Sequence, residues 1–247
     1  MHSCHSLRHL AAGLLVYVAV FCRAQENQDC SIERLRACGS DFVLFGNATS
    51  IPDTAQKLQE ACNNYTTQIA CTLKYVDDCL DGTTRGTSLV AIKAAEEDFE
   101  AICTEGNDLQ KQFLESAPCA NAAGAALNTC IRDLYVNLQR SLDKAPRRQT
   151  VHHACCFYGH VIDCLETALS GCEGSSPAKQ FLLDRVDHIF GEALSLVCGT
   201  YTRGSANCAA LPALPQLDQG APEPISNMVE YCINIIGRSG SRDDETQ

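Results

Sequence analysis

The chain has 247 residues, with 19 basic against 30 acidic side chains, a formal net charge of -11, 17 cysteines and no tryptophan. This balance argues against nucleic acid and anionic membrane surfaces as partners, because both select for clustered Lys and Arg. The acids are dispersed along the chain, as on a solvated surface that aids solubility.

Residues 1–24 read as a secretory signal peptide. Arg8 and its flanking histidines precede "LAAGLLVYVAVF", an apolar run too short to span a bilayer. Cys22 and Ala24 frame Arg23 as an A-x-A-like cleavage site, which places the mature start at Gln25. Losing Cys4, Cys22, Arg8 and Arg23 takes 17 cysteines to 15 and 19 basic residues to 17, so the mature balance against 30 acids is -13. No later segment approaches the roughly 18 consecutive apolar residues of a membrane helix. The polar end "GRSGSRDDETQ" carries no GPI signal. The expectation is a soluble, secreted, extracellular protein in which 15 cysteines build a disulfide framework, with one left unpaired within the chain.

The pattern is helical almost throughout and implies an all-α, disulfide-stapled bundle of eight to ten helices joined by short loops. Ile32, Leu35, Cys38, Phe42 and Phe45 fall at three- and four-residue steps, as do Leu89, Ile92, Phe99 and Cys103, and Leu182, Val186, Ile189, Ala193 and Val197. Ser50 to Asp53 opens one helix, and Ser176 before Pro177 opens another. Cysteines eight apart on one helix, such as Cys71 and Cys79 or Cys164 and Cys172, are separated by about 12 Å of rise, beyond a disulfide's reach. Each must therefore bond a neighbouring helix.

The cysteine spacing also suggests a duplication. Without a gap, Cys62, Cys71 and Cys79 fall on Cys155, Cys164 and Cys172, Tyr65 on Tyr158, and Ile69 on Ile162. Further on, Cys103 answers Cys198, Cys119 answers Cys208, and Cys130 answers Cys232. We expect copy one over residues 25–142, a linker over 143–150, copy two over 151–237 and a disordered tail over 238–247. The linker's Arg147 and Arg148 read as a processing site or, better, as plain exposed chain. In this register Cys30, Cys38 and Cys156 are unmatched. Adjacent helical cysteines point about 100° apart. Cys155 is thus expected to bond within copy two while Cys156 reaches back to Cys30 or Cys38. The one not chosen is left free or cross-links a homodimer.

"CSIERLRAC", then Cys62, "CTLKYVDDC" and a long step to Cys103, resembles the secreted cysteine-rich helical domains of unassigned function found in nematodes and arthropods, including small haemolymph glycoproteins. The resemblance covers Cys30 to Cys130 best. It implies fold and secretion, and brings no catalytic residues.

The segment "HHACCFYGHVIDC" brings together three histidines, three cysteines and an acid. In a secreted phospholipase A2, paired cysteines precede a catalytic His-Asp by two residues. Here three residues separate Cys156 from His160, Val161 follows the histidine, and the acid is Asp163. No glycine-rich calcium loop accompanies it. His152, His153, Cys155, Cys156 and His160 have zinc-ligand chemistry, yet Cys155 has a repeat equivalent at Cys62 without histidines, which favours a structural role. His188 has Asp184 one helical turn before it, as a surface ion pair or a weak dyad candidate. No serine-nucleophile or phosphate-loop signature is present. No catalytic residue, metal site or cofactor is therefore assigned.

Asn47 and Asn64 lie in N-x-[ST] sequons, the first in a loop and the second between helical cysteines, where access is expected to be poorer. Glycans at both would cover copy one and direct partners to copy two. "AALPALPQLDQGAPEPIS" cannot be helical, and its Leu211, Leu214 and Leu217 could dock in a partner's groove or simply form a surface insertion. The favoured function is a non-enzymatic extracellular glycoprotein with a binding or structural role. A carrier of a small apolar ligand between helices is second, and a secreted hydrolase is the weak third.

Overall fold

A computed structural model describes residues 29–172, 174, 176–218, 225 and 227–240. The leader, its cleavage site and most of the C-terminal tail lie outside the described residues. Among those described there are nine α-helices and no strand: α1 Ile32–Ala37, α2 Ala55–Cys79, α3 Gly82–Cys103, α4 Asp108–Ala122, α5 Gly124–Lys144, α6 Thr150–Ala168, α7 Ala178–Cys198, α8 Ala206–Ala210 and α9 Met228–Gly240. Two short 3-10 turns, Arg147–Gln149 and Ser170–Cys172, flank α6. No described helix is long and apolar enough to cross a membrane.

Local chemistry sets several of these boundaries. Thr54, rather than Ser50, caps α2 by accepting from the Lys57 amide, and Ser176 accepts from the Ala178 amide at the start of α7. The stripe from Ile32 to Phe45 does not form one helix. α1 ends at Ala37, and Gly39 turns the chain through a positive φ of 82° that a β-carbon disfavours. Phe42 and Phe45 consequently sit on a loop over residues 39–54. Two asparagines clamp this loop. Asn121 donates to Ile51 O at 2.9 Å and accepts from its amide at 2.8 Å, while Asn128 donates to Phe45 O at 2.8 Å and Gly46 O at 3.0 Å.

The disulfides join Cys30 to Cys79, Cys38 to Cys71, Cys62 to Cys103, Cys119 to Cys172, Cys130 to Cys164, Cys155 to Cys198 and Cys156 to Cys208. Each of the helix-borne cysteines of α2 does bond a different element. Cys156, however, reaches α8 within the C-terminal half instead of bridging to Cys30 or Cys38. The angular argument for separate partners of Cys155 and Cys156 survives, and the expected bridge from Cys156 to the N-terminal cysteines does not. Cys30 and Cys38 hold α1 on α2, so they are not surplus. Cys119 and Cys130 cross residues 143–150 to reach Cys172 and Cys164, tying together the two sides of the expected linker. Cys232 is the free cysteine among the described residues.

Two buried clusters result. One gathers Leu35, Tyr65, Ile69, Leu73, Val76, Ile92 and Phe99 around α1, α2 and α3. The larger joins α4, α5, α6 and α7 through residues such as Phe113, Leu127, Leu138, Leu165 and Phe181. α9 packs on α3, α5 and α6 and closes the bundle. Its buried Glu230 accepts both Arg36 Nε at 2.9 Å and Nη2 at 2.6 Å from α1, and Tyr231 donates to Tyr135 O at 3.0 Å. Arg238 and Ser239 belong to this helix and reach Ala145 O and Arg147 O, so the tail does not begin at residue 238.

The proline-rich segment also docks, but on its own chain. Leu214 is buried, Arg140 of α5 donates to Leu214 O and Pro215 O, and Lys144 pairs with Asp218 at 2.6 Å. Residues 212–218 form no helix, in keeping with their prolines.

Gly124 opens α5 directly beneath the clamped loop, where a β-carbon would stand 1.9 Å from Thr49 O. We expect Gly124→Ala to destabilise the protein by about 1–3 kcal/mol in urea unfolding through this overlap. Gly86→Ala on the exposed face of α3, where a β-carbon meets nothing within 4 Å, should stabilise by about 0.5–1 kcal/mol.

Candidate functional site

The interior is not filled. α3 turns Thr87, Ser88, Ala91 and Ala95 inward, and opposite them α7 presents Leu182, Val186, Ile189, Ala193 and Val197. The α7 stripe has the spacing of an ordinary core face. Facing short side chains, it leaves a cavity of about 220 Å³ where the two clusters meet, completed by Leu138 of α5, Val161 of α6 and Ile235 of α9. Engineered cavities of roughly 150 Å³ lined by aliphatic residues already stay dry and take up an apolar guest.

The loop after α1 forms one wall, with Phe42, Val43, Leu44 and Phe45 against the cavity. Phe45 holds a φ of 59°, in the left-handed region that a bulky residue rarely occupies. The Asn128 hydrogen bonds to Phe45 O and Gly46 O keep it there. At the loop's other end Asp41 accepts from Gln68 Nε2 at 2.8 Å, from Asn64 Nδ2 at 3.0 Å and from Asn47 Nδ2 at 3.4 Å. These donors, Gln68 foremost, lower the Asp41 carboxyl below its usual range. The two sequon asparagines thus converge on one carboxylate. Both are exposed, so the poorer access expected for Asn64 is not what its surroundings show.

A charged group borders the cavity deep in the protein, as do the buried hydroxyls of Thr87 and Ser88. Asp98 of α3 is 3% exposed, and its Oδ1 faces Arg185 Nη1 at 2.7 Å and His188 Nδ1 at 3.0 Å, both from α7. His188 therefore engages Asp98 across two helices and not Asp184, which instead accepts from Gln180 on its own helix. Nothing in the spacing of α7 signalled this, because Asp98 lies 90 residues earlier.

The histidines of the α6 segment are structural neighbours rather than a cluster. His152 stacks on Tyr201 with ring centroids 3.8 Å apart, His153 is buried near Phe157, and His160 meets the same Phe157 edge-on at 5.8 Å. Burial holds His153 below its usual titration range. Asp163 pairs with Arg203, which also grips Glu166. Cys155, Cys156 and Cys164 are all consumed in disulfides, and no group of three or more His, Cys, Asp or Glu among the described residues is placed to hold a metal.

Cys232 lines the cavity from α9. Its place beside the void leaves the residue partly accessible, yet the protein around it pushes the thiol up to about 11. No family model, curated protein or solved structure matches this chain.

The raised Cys232 thiol has a direct readout. At pH 8 the native protein should react with a thiol reagent about 100-fold more slowly than an unhindered cysteine, because the thiolate is correspondingly scarce. Unfolding in urea without reductant should restore the ordinary rate, measured as label on the peptide that carries Cys232.

Proposed function

We propose that the protein is a secreted, non-enzymatic glycoprotein that binds and carries a small apolar ligand between its helices. The observation that carries this reading is the apolar cavity of about 220 Å³ bounded by α3, α7, α9 and the loop after α1. An unoccupied hydrocarbon-lined space of this size costs about 5 kcal/mol relative to a filled core. A guest that brings its own apolar surface recovers that cost on binding. The seven disulfides support an oxidising compartment, and the high pKa of Cys232 keeps the cavity's thiol protonated and unreactive. The carrier reading thereby gives content to the broader extracellular binding role expected from the sequence.

The disulfide order supports a duplication in a revised register. Cys30, Cys38, Cys62, Cys71, Cys79 and Cys103 bond first to fifth, second to fourth and third to sixth. Cys119, Cys130, Cys155, Cys164, Cys172 and Cys198 follow the same order. We assign the two units to these spans, with Cys156–Cys208 and α9 as additions to the second.

Native mass spectrometry of the protein secreted by a eukaryotic host should show a co-purified apolar molecule. The neutral fluorophore N-phenylnaphthylamine should bind the delipidated protein with a rise in emission. Ala193→Leu, which extends a side chain into the cavity, should weaken that binding by about tenfold while leaving the helical circular dichroism unchanged. Unaltered binding by the variant would place the probe elsewhere and remove the carrier reading.

The same secreted material tests the processing assigned from the sequence. Its N-terminus should be Gln25, and endoglycosidase treatment should reduce its mass by one or two glycans, at Asn47 and Asn64.

A further inference from the structure

We infer that the carried ligand is an amphiphile with an uncharged hydroxyl head, held by Asp98 and Arg185 while its hydrocarbon body fills the cavity. The inference rests on the carrier reading and specifies what is carried.

Its basis is an imbalance in the ion pair at the cavity wall. Both protein partners of Asp98, Arg185 Nη1 and His188 Nδ1, fall on the single oxygen Oδ1. Asp98 Oδ2 is buried and has no protein partner, and neither has Arg185 Nε on the side chain that touches it. One contacting pair of residues thus offers an unused acceptor and an unused donor together, and both residues line the cavity. Burying such groups unpaired is costly, so their satisfaction is a source of affinity.

The pair also sits where a head group belongs. Side-chain exposure rises from 4% at Asp98 to 25% at Arg185 and 43% at His188, so this corner leads from the interior toward solvent. Thr87 and Ser88 on the same helix as Asp98 add two buried hydroxyls without partners, Ser40 and Asn227 also border the cavity, and almost all the rest of the lining is hydrocarbon. A ligand entering with its chain inward would leave its polar end here.

The complementary chemistry is narrow. A hydroxyl can donate its proton to Asp98 Oδ2 while its oxygen accepts from Arg185 Nε–H. A carboxylate could accept from the arginine but could not donate to Asp98, and it would stand beside a like charge in a desolvated site. The formal charges of Asp98 and Arg185 cancel, so the pair supplies no net field to draw an anion in. An ether accepts but does not donate and leaves Oδ2 unpaired.

Competition against N-phenylnaphthylamine on the delipidated full-length protein separates these cases, with decanol, decanoate and decyl methyl ether as competitors of matched chain. Decanol should compete at least about tenfold more strongly than either of the others at neutral pH. In Asp98→Asn, which removes the charge and supplies an amide donor, decanoate should gain about tenfold and the preference for decanol should vanish. If the wild-type protein binds the fluorophore but ranks decanol and decanoate equally, or the ether with the alcohol, the hydroxyl assignment is wrong and the carrier reading stands. If no competitor and no fluorophore binds, both are wrong. The wild-type ranking alone decides the matter should the variant fail to fold.

Discussion

Every cysteine carried by α2 and α6 bonds to another element, and the bundle depends on that covalent bracing. The loops closed by the disulfides separate their cysteines by 33 to 53 positions, and a cross-link over such a span stabilises by about 4 kcal/mol through restriction of the unfolded chain. The loop of Cys38–Cys71 nests inside that of Cys30–Cys79, so the individual contributions do not add in full. Even so, one cross-link is of the same size as the cost of the cavity. A core built from Ala, Leu, Val and Ile without tryptophan can then remain under-filled without unfolding.

The cavity itself follows from a mismatch between two helical faces. α7 offers large aliphatic side chains at regular steps, and a partner helix with equally large ones would have made a close-packed seam. α3 offers Thr87, Ser88, Ala91 and Ala95 instead. Small residues let helices approach, and α3 and α7 do pack closely, while each is also held by its own disulfide, Cys62–Cys103 and Cys155–Cys198, to α2 and α6. The cavity lies beside that contact, where the short side chains of α3 leave space. Phe45 completes the enclosure from a loop that needs the Asn121 and Asn128 clamps to keep an unfavourable backbone in place.

The helical periodicity and the requirement that cysteines on one helix bond outward were legible in the sequence, since both are consequences of fixed helix geometry. The pairing partners were less so. The ungapped overlay of Cys62 on Cys155 led to a bridge from Cys156 to Cys30 or Cys38, whereas the structure joins Cys156 to Cys208 and uses Cys30 and Cys38 within the N-terminal half. Sequence spacing cannot tell whether the flanking cysteines of a repeat precede or follow its central helix. The cavity was hidden for a different reason. Leu182 through Val197 read as core because periodicity reports which residues face inward and not whether anything fills the space before them. The Asp98–Arg185–His188 group was invisible because two helices far apart in sequence supply it, while the nearer candidate, Asp184, was the one that spacing suggested.

The disulfides fall into two sets that do not interleave. The bonds among Cys30 to Cys103 use no residue beyond position 103, and those of the second set all lie between Cys119 and Cys208. A chain entering an oxidising compartment N-terminus first can therefore finish its first three bonds before any cysteine of the second set emerges. α9 and Cys232 follow all fourteen bonded cysteines in the chain, each of which already has a nearer partner. The thiol of Cys232 thus reaches the cavity on the same helix that closes the bundle, and that closure waits until α9 has been made.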